Sequence, residues 1–198
     1  MSYLDHTHIP TINMSTHSLT TLLIALVVFV GASAPSPQAQ LYFLPSNPII
    51  HDVDVGNSCD PLVCKISEQN GAHLQSTMFT FTYPPAVLGK TCYLGLPLGP
   101  SAELYGSQQI DVFRMWSPVT SCPSYGNNRD LELGRMNLFA GGNATWAWTS
   151  YSYLTQPTKC PVPGTVEGIE FAPVSDATGN DWVVWVQGVE SGPRIYYY

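Results

Sequence analysis

The chain has 198 residues, of which 11% are charged, 44% hydrophobic and 12% aromatic, with a formal net charge of −7. Charge lies far below the roughly 25% of an ordinary soluble domain, yet the apolar content is enough for a core, which excludes a disordered chain. The acidic balance and the absence of any Lys or Arg run exclude nucleic acid and anionic membrane surfaces as partners. Sixteen glycines and 17 prolines, beside many Ser and Thr, suit an extracellular β protein of one domain with appendages.

In chain order, "LTTLLIALVVFVGASAPSPQAQ" comes first and reads as a secretory leader, placed at residues 1–33. Its apolar run, Leu22 to Val30, is well short of the ~20 residues that cross a bilayer. Gly31, Ala32, Ser33 and Ala34 supply a small-residue cleavage region. Cleavage after Ala32 suits the sequence best, since cutting after Ala34 leaves Pro35 at the new N-terminus. Residues 1–18 lack the usual Lys or Arg, so residues 1–13 read as an upstream extension ahead of Met14; an uncleaved signal anchor is the competing reading. "GPRIYYY" at the other end gives no lipid-anchor tail. Residues 34–46, with Pro35, Pro37 and Pro45, are expected to form an extended, mobile spacer, ahead of a single domain over residues 47–198.

After the spacer, apolar stretches bounded by Gly, Pro, Asn and Ser recur at the short intervals of an all-β domain. Strands are expected over 48–55, 75–83, 91–98, 108–116, 133–140, 165–172, 181–187 and 193–197, giving a single antiparallel β-sandwich of about eight strands. "TMFTFTYPP" alternates with a period of two, so Phe79, Phe81 and Tyr83 share one face, read as core, and Pro84 ends the pairing. "DWVVWVQG" is apolar on both faces, so a central strand covered on each side is expected. No stretch beyond the leader repeats apolar residues at helical spacing.

All five cysteines follow the leader, where export exposes them to an oxidising compartment. "CDPLVC" can close locally as Cys59–Cys64, adding about 2 kcal/mol, while Cys92 to Cys160 closes a long loop worth about 4 kcal/mol. Spacing alone leaves the connectivity open, and the odd count leaves one thiol over, here assigned to Cys122. No metal site or cofactor is expected: only His51 and His73 follow the leader, and no paired C-x-x-C motif occurs.

The best binding candidate is "GGNATWAWTSYSY". If it is a strand, Trp146 and Trp148 share a face that Tyr151 and Tyr153 continue, a surface on which sugars stack. Asn143 heads a glycosylation sequon, so a glycan there would shield Trp146. Catalysis has little support. His51 and Asp52 point to opposite faces of a strand, and Asp52 and Asp54 read as solvent-facing. Asp111, Asp130, Glu132, Glu167 and Glu170 supply carboxylates for glycoside cleavage, but nothing in the sequence pairs them. No G-x-S-x-G, H-E-x-x-H or phosphate-loop motif occurs. His73 reads as a turn residue, and "NNRDLELGR" as a solvated loop leading into a strand.

Taken in order, "QNGAHLQSTMFTFTYPPAVLGKTCYLGLPL", "IDVFRMWSPVT", "NNRDLELGRMNL", "CPVPGTVEGIEF" and "DWVVWVQGVESGPRI" resemble the But-two C-terminal domain family of fungal proteins, over residues 48–198. The family takes its name from a yeast protein that binds the activating enzyme of a ubiquitin-like modifier. The resemblance implies a fungal source, a β-rich domain and a secreted or cell-surface setting, with no established catalytic residues to carry over. It also implies one cysteine in a G-x-T-C-x-L strand, Cys92, and one in a C-P-x-x-G turn, Cys160, in keeping with the long disulfide. The leader would keep the mature chain from the namesake's cytosolic partner.

Together these features lead to an expectation of a secreted, non-enzymatic β-sandwich of the cell wall or secretome, with cell-wall polysaccharide or extracellular protein as partner. A secreted glycoside hydrolase and an intracellular module of ubiquitin-like modification are the alternatives.

Overall fold

Period-two alternation dominates the chain after residue 40, and the computed structural model is all-β and antiparallel throughout. It describes residues 40–46, 48–59, 62–119, 126–174 and 179–198. The leader and residues 34–39 of the spacer lie outside the described residues, as does the expectation of a free thiol at Cys122. The strands are β1 (Leu41–Phe43), β2 (Ile49–Asp52), β3 (Gly56–Cys59), β4 (Val63–Gln69), β5 (Ala72–Thr82), β6 (Thr91–Gly95), β7 (Glu103–Tyr105), β8 (Gln109–Met115), β9 (Arg129–Asn137), β10 (Thr145–Thr149), β11 (Thr158–Lys159), β12 (Val166–Pro173), β13 (Asn180–Val186) and β14 (Arg194–Tyr197). A 3-10 turn, Pro85–Val87, follows β5 where Pro84 and Pro85 withdraw their donors.

Four strands, in the order β1-β14-β6-β11, form one sheet; the other runs β10-β9-β8-β12-β5-β4-β13-β7, with β2 on β5 and β3 on β2. β5 carries the centre of the large sheet. Phe79, Phe81 and Tyr83 are all buried on one face and share a single core with Ile169 and Phe171 of β12, Ile110 and Val112 of β8, and Leu94 and Ile195 of the small sheet. The "TMFTFTYPP" alternation is therefore architectural. The opposite face of β5 is also covered, because Ile49, Met78 and Met115 form a second, smaller cluster with Val119 packed against it.

The large sheet curls at β4. Ladder pairing between β4 and β5 is confined to Ser67↔Gln75 and Gln69↔Ala72, the latter flanking an Asn70-Gly71 turn in which both residues have positive φ, the signature of a tight hairpin. Beyond Ser67 the strands part, and the Thr77 side chain substitutes for the missing ladder: its hydroxyl accepts from Lys65 N at 3.0 Å and donates to Lys65 O at 2.7 Å. The curl brings Trp185 of β13 back over β5, where it stacks on Phe79 with ring centroids 6.3 Å apart.

Four expectations need correction. Leu41–Phe43 is a strand paired with β14, and Phe43 packs edge-on against Phe81 and Tyr83, so this part of the expected spacer belongs to the folded unit. β13 lies between β4 and β7 but buries only one face: Asp181, Val183 and Trp185 point inward, while Trp182 and Val184 are half-exposed and Val186 exposed. The local Cys59–Cys64 bridge does not form. Cys59 is disulfide-bonded, whereas Cys64 keeps its thiol within the core, because the inward face of β4 turns it toward Ile66 and Trp185. The long bridge Cys92–Cys160, spanning 68 residues, is present. The described residues hold fourteen strands against the expected eight: β1, β3, β7 and β11 are too short for alternation to mark them, and β4 and β10 lie outside the expected ranges.

Candidate functional site

β10 carries the aromatic segment singled out in the sequence, and a bulge divides it. Trp146 pairs with Met136 and Trp148 with Arg135, a shift of register at Ala147. Directly opposed residues share a face, so Trp146 turns toward the core while Trp148 turns out to meet the Arg135 guanidinium, 6.0 Å from its ring. Gly134 permits the bulge: a Cβ there would sit 2.3 Å from the Trp148 carbonyl oxygen. Tyr151 and Tyr153 lie in the loop beyond β10. Tyr151 is exposed, whereas Tyr153 packs on the core and donates its hydroxyl to Glu167 Oε2 at 2.8 Å. The four aromatics thus form no common face. Asn143, at an isolated bridge to Pro97, is exposed.

The acidic residues are held by the fold. Glu167 accepts from both Tyr83 and Tyr153 at 2.8 Å. Burial pushes its carboxyl up against the opposing effect of those two donors and of Arg114. Burial first, and then the neighbouring Glu167, also push both phenols up, so they stay protonated donors. Glu170, fully buried on the opposite face of β12, accepts from Arg129 Nε at 3.1 Å and Nη2 at 2.7 Å, Ser76 Oγ at 2.5 Å and Asn127 Nδ2 at 3.0 Å. Asp111 is paired bidentately with Arg135. Asp52 binds the amides of Asp54 and Val55 and the side chain of Gln75, closing the turn between β2 and β3. His73, at positive φ, meets Asp54 on the surface at 2.6 Å, and His51 Nδ1 meets Asn57 Oδ1 at 2.6 Å. Arg129 is a strand residue anchored in a buried carboxylate, not part of a solvated loop.

Two concave features stand out among the described residues. A pocket of about 120 Å³ lies over β2 and β5, lined in part by His51, Ser76, Asn127 and Arg129. A wider cleft of about 400 Å³ opens at the curled end of the large sheet, lined by Glu68, Gln69, Tyr105, Asn180, Asp181 and Trp182. β13 and β7 place Trp182 directly opposite Tyr105. Lys65 lies over the indole, 4.2 Å from the ring centroid, and the indole N–H donates to Glu103 at 3.4 Å, so Trp182 is fixed in place. Tyr105 is 67% exposed on an edge strand. Glu68 and Asp181, also lining the cleft, are opposed across β4 and β13 and both buried, on the strand face opposite to that of Trp182. Asp181 accepts from Ser107 N at 2.7 Å and Ser107 Oγ at 3.0 Å.

An aromatic pair beside carboxylate and amide groups is a surface suited to polyhydroxylated ligands: ring faces cover apolar C–H patches, and the polar groups take the hydroxyls. Sequence reasoning missed this cleft. Trp182 was visible in "DWVVWVQG" but read as buried, and Tyr105 sits in a three-residue strand. Among the described residues, no group of three or more His, Cys, Asp or Glu is placed to hold a metal ion. The chain matches no family model, no curated protein and no solved structure.

Proposed function

We propose that this domain is an exported, non-enzymatic module of the But-two C-terminal type that binds cell-wall or extracellular glycan. Its ligand lies in the cleft at the end of the large sheet, and the carrying observation is the Trp182–Tyr105 pair, which lines it together with Gln69, Asn180, Glu68 and Asp181. The long disulfide supports the reading of export, since such bridges persist in oxidising compartments. The commitment of Asp111, Glu167 and Glu170 to internal donors supports binding over hydrolysis. An exposed Asn143 fits a glycan-bearing surface.

The test is retention of the secreted, disulfide-intact protein on insoluble chitin and β-glucan. Wild type and Trp148→Ala should be retained, while Trp182→Ala and Tyr105→Ala should each lose about tenfold in affinity, the loss of one aromatic–ligand contact. Equal retention of all four would move the ligand away from this cleft.

A second reading, a glycoside hydrolase, draws on the opposition of Glu68 and Asp181 at the same cleft. It requires sugar release from wall polysaccharide that Glu68→Gln abolishes.

A further inference from the structure

We propose that Tyr93 and Tyr196 form a site of oxidative coupling, at which a haem peroxidase using hydrogen peroxide joins the two rings ortho carbon to ortho carbon. The pair lies on the outer face of the small sheet. Tyr196 of β14 stands directly opposite Tyr93 of β6 and also opposite Tyr42 of β1. The rings of Tyr93 and Tyr196 are stacked, with centroids 5.1 Å apart and 20° between their planes. Tyr42 meets Tyr196 edge-on at 5.9 Å and is itself covered by the Arg194 guanidinium at 4.7 Å, which sets it apart from the stacked pair.

The stack is specified by β6 itself. Gly95 shares the face of Tyr93, two residues along the strand, and a Cβ there would lie 2.6 Å from Tyr196 Cε2. Glycine at this position therefore admits the Tyr196 ring flat over β6 and beside Tyr93. Both phenols are half-buried and reachable from solvent. Burial, with Tyr196 and Tyr198 beside it, pushes the Tyr93 phenol up, so oxidation removes a proton together with the electron.

The chemistry balances with one equivalent of peroxide. Each phenol gives one hydrogen atom to the peroxidase, and the two radicals, whose spin resides partly on the ortho carbons, form one carbon–carbon bond. The two ring protons at the new bond then move to the phenoxyl oxygens, restoring both phenols. The protein loses two hydrogens and the peroxide becomes two waters. Coupling is favoured at this pair because a bimolecular encounter becomes an intramolecular one. The product would tie β14 to β6 beside the bridge that ties Cys92 to Cys160, closing the small sheet covalently on two sides.

The experiment treats dilute, folded, disulfide-intact protein with a haem peroxidase and one equivalent of hydrogen peroxide, then maps cross-linked peptides by mass spectrometry. The expected product is a monomer lacking two hydrogens, with Tyr93 joined to Tyr196. Tyr93→Phe and Tyr196→Phe, which keep the ring stack, should each lower intramolecular dityrosine by about tenfold, whereas Tyr105→Phe should not. Thermal melts close to wild type establish that both variants fold. Coupling mainly between chains through the more exposed Tyr105, Tyr151 or Tyr198, coupling at any other internal pair, or an undiminished signal in Tyr93→Phe would overturn the assignment.

Discussion

Trp146 and Trp148 are two residues apart on one strand and yet face opposite sides of the sheet, because Ala147 is an extra, bulged residue between them while their partners Met136 and Arg135 are consecutive on β9. Their replacement by alanine should therefore have unequal cost. Trp146→Ala removes a half-buried ring from the core and should destabilise by about 2 kcal/mol, whereas Trp148→Ala should cost about 0.5 kcal/mol. Urea denaturation of the two variants checks this, and equal midpoints would contradict the bulge.

The Glu170–Arg129 pair behaves as a buried ion pair with only one partner reaching solvent, the Arg129 side chain being 37% exposed and Glu170 fully buried. Arg129→Ala would strand a buried carboxylate that keeps only Ser76 and Asn127 as donors. The expected loss is about 3 kcal/mol, well above that for an exposed charge such as Asp130. Chemical denaturation of Arg129→Ala beside Asp130→Ala gives the comparison.

A pH dependence follows from Glu167. Its carboxyl is held above the ordinary value of 4.5 mainly by burial, so the folded state binds this proton more tightly than the unfolded chain. The associated destabilisation is full at neutral pH and is relieved as pH falls through the folded pKa toward 4.5. Asp52 has the opposite sign. Burial opposes its ionisation, but donors from Gln75, Asp54 and Val55, with Lys65 nearby, hold its carboxyl below 3.8, so its stabilising contribution is lost only as pH falls below that value. The Glu167 contribution should raise stability between pH 7 and pH 5, and Glu167→Gln should remove that rise. Unfolding midpoints of both proteins at the two pH values decide it; parallel responses would refute the assignment.

The cysteines should separate by reactivity. Cys64 is fully buried in the core as a thiol, so iodoacetamide should label it only after denaturation. Replacing Cys92 and Cys160 together by alanine should cost about 4 kcal/mol through the freed loop. Mass spectrometry of native and unfolded samples tests the first expectation, and thermal melts the second.

The alternation of Phe79, Phe81 and Tyr83 made β5 legible, and apolar stretches bounded by Gly, Pro, Asn and Ser marked β6, β8, β9, β12, β13 and β14, each near its observed position. Shorter strands such as β7 carry too few residues for a period to be read, which concealed Tyr105. Trp182 was misplaced because an apolar residue at half-exposure has the same letter as one in the core. Its actual setting depends on Lys65 and Glu103, residues far away in sequence.

By itself, the sequence determined the all-β class, the main strands and the core face of β5, because side-chain direction in a strand follows a local period of two. Only the tertiary structure decided that Trp146 and Trp148 diverge, that Cys64 stays a thiol, and that Trp182 and Tyr105 meet over a cleft. Each of these depends on a partner strand: Gly134 admits the β10 bulge, Thr77 replaces the ladder where β4 turns away, and β7 brings Tyr105 to β13. Register and curl arise from backbone pairing between distant segments, and a local pattern of residues carries no record of which backbone will lie beside it.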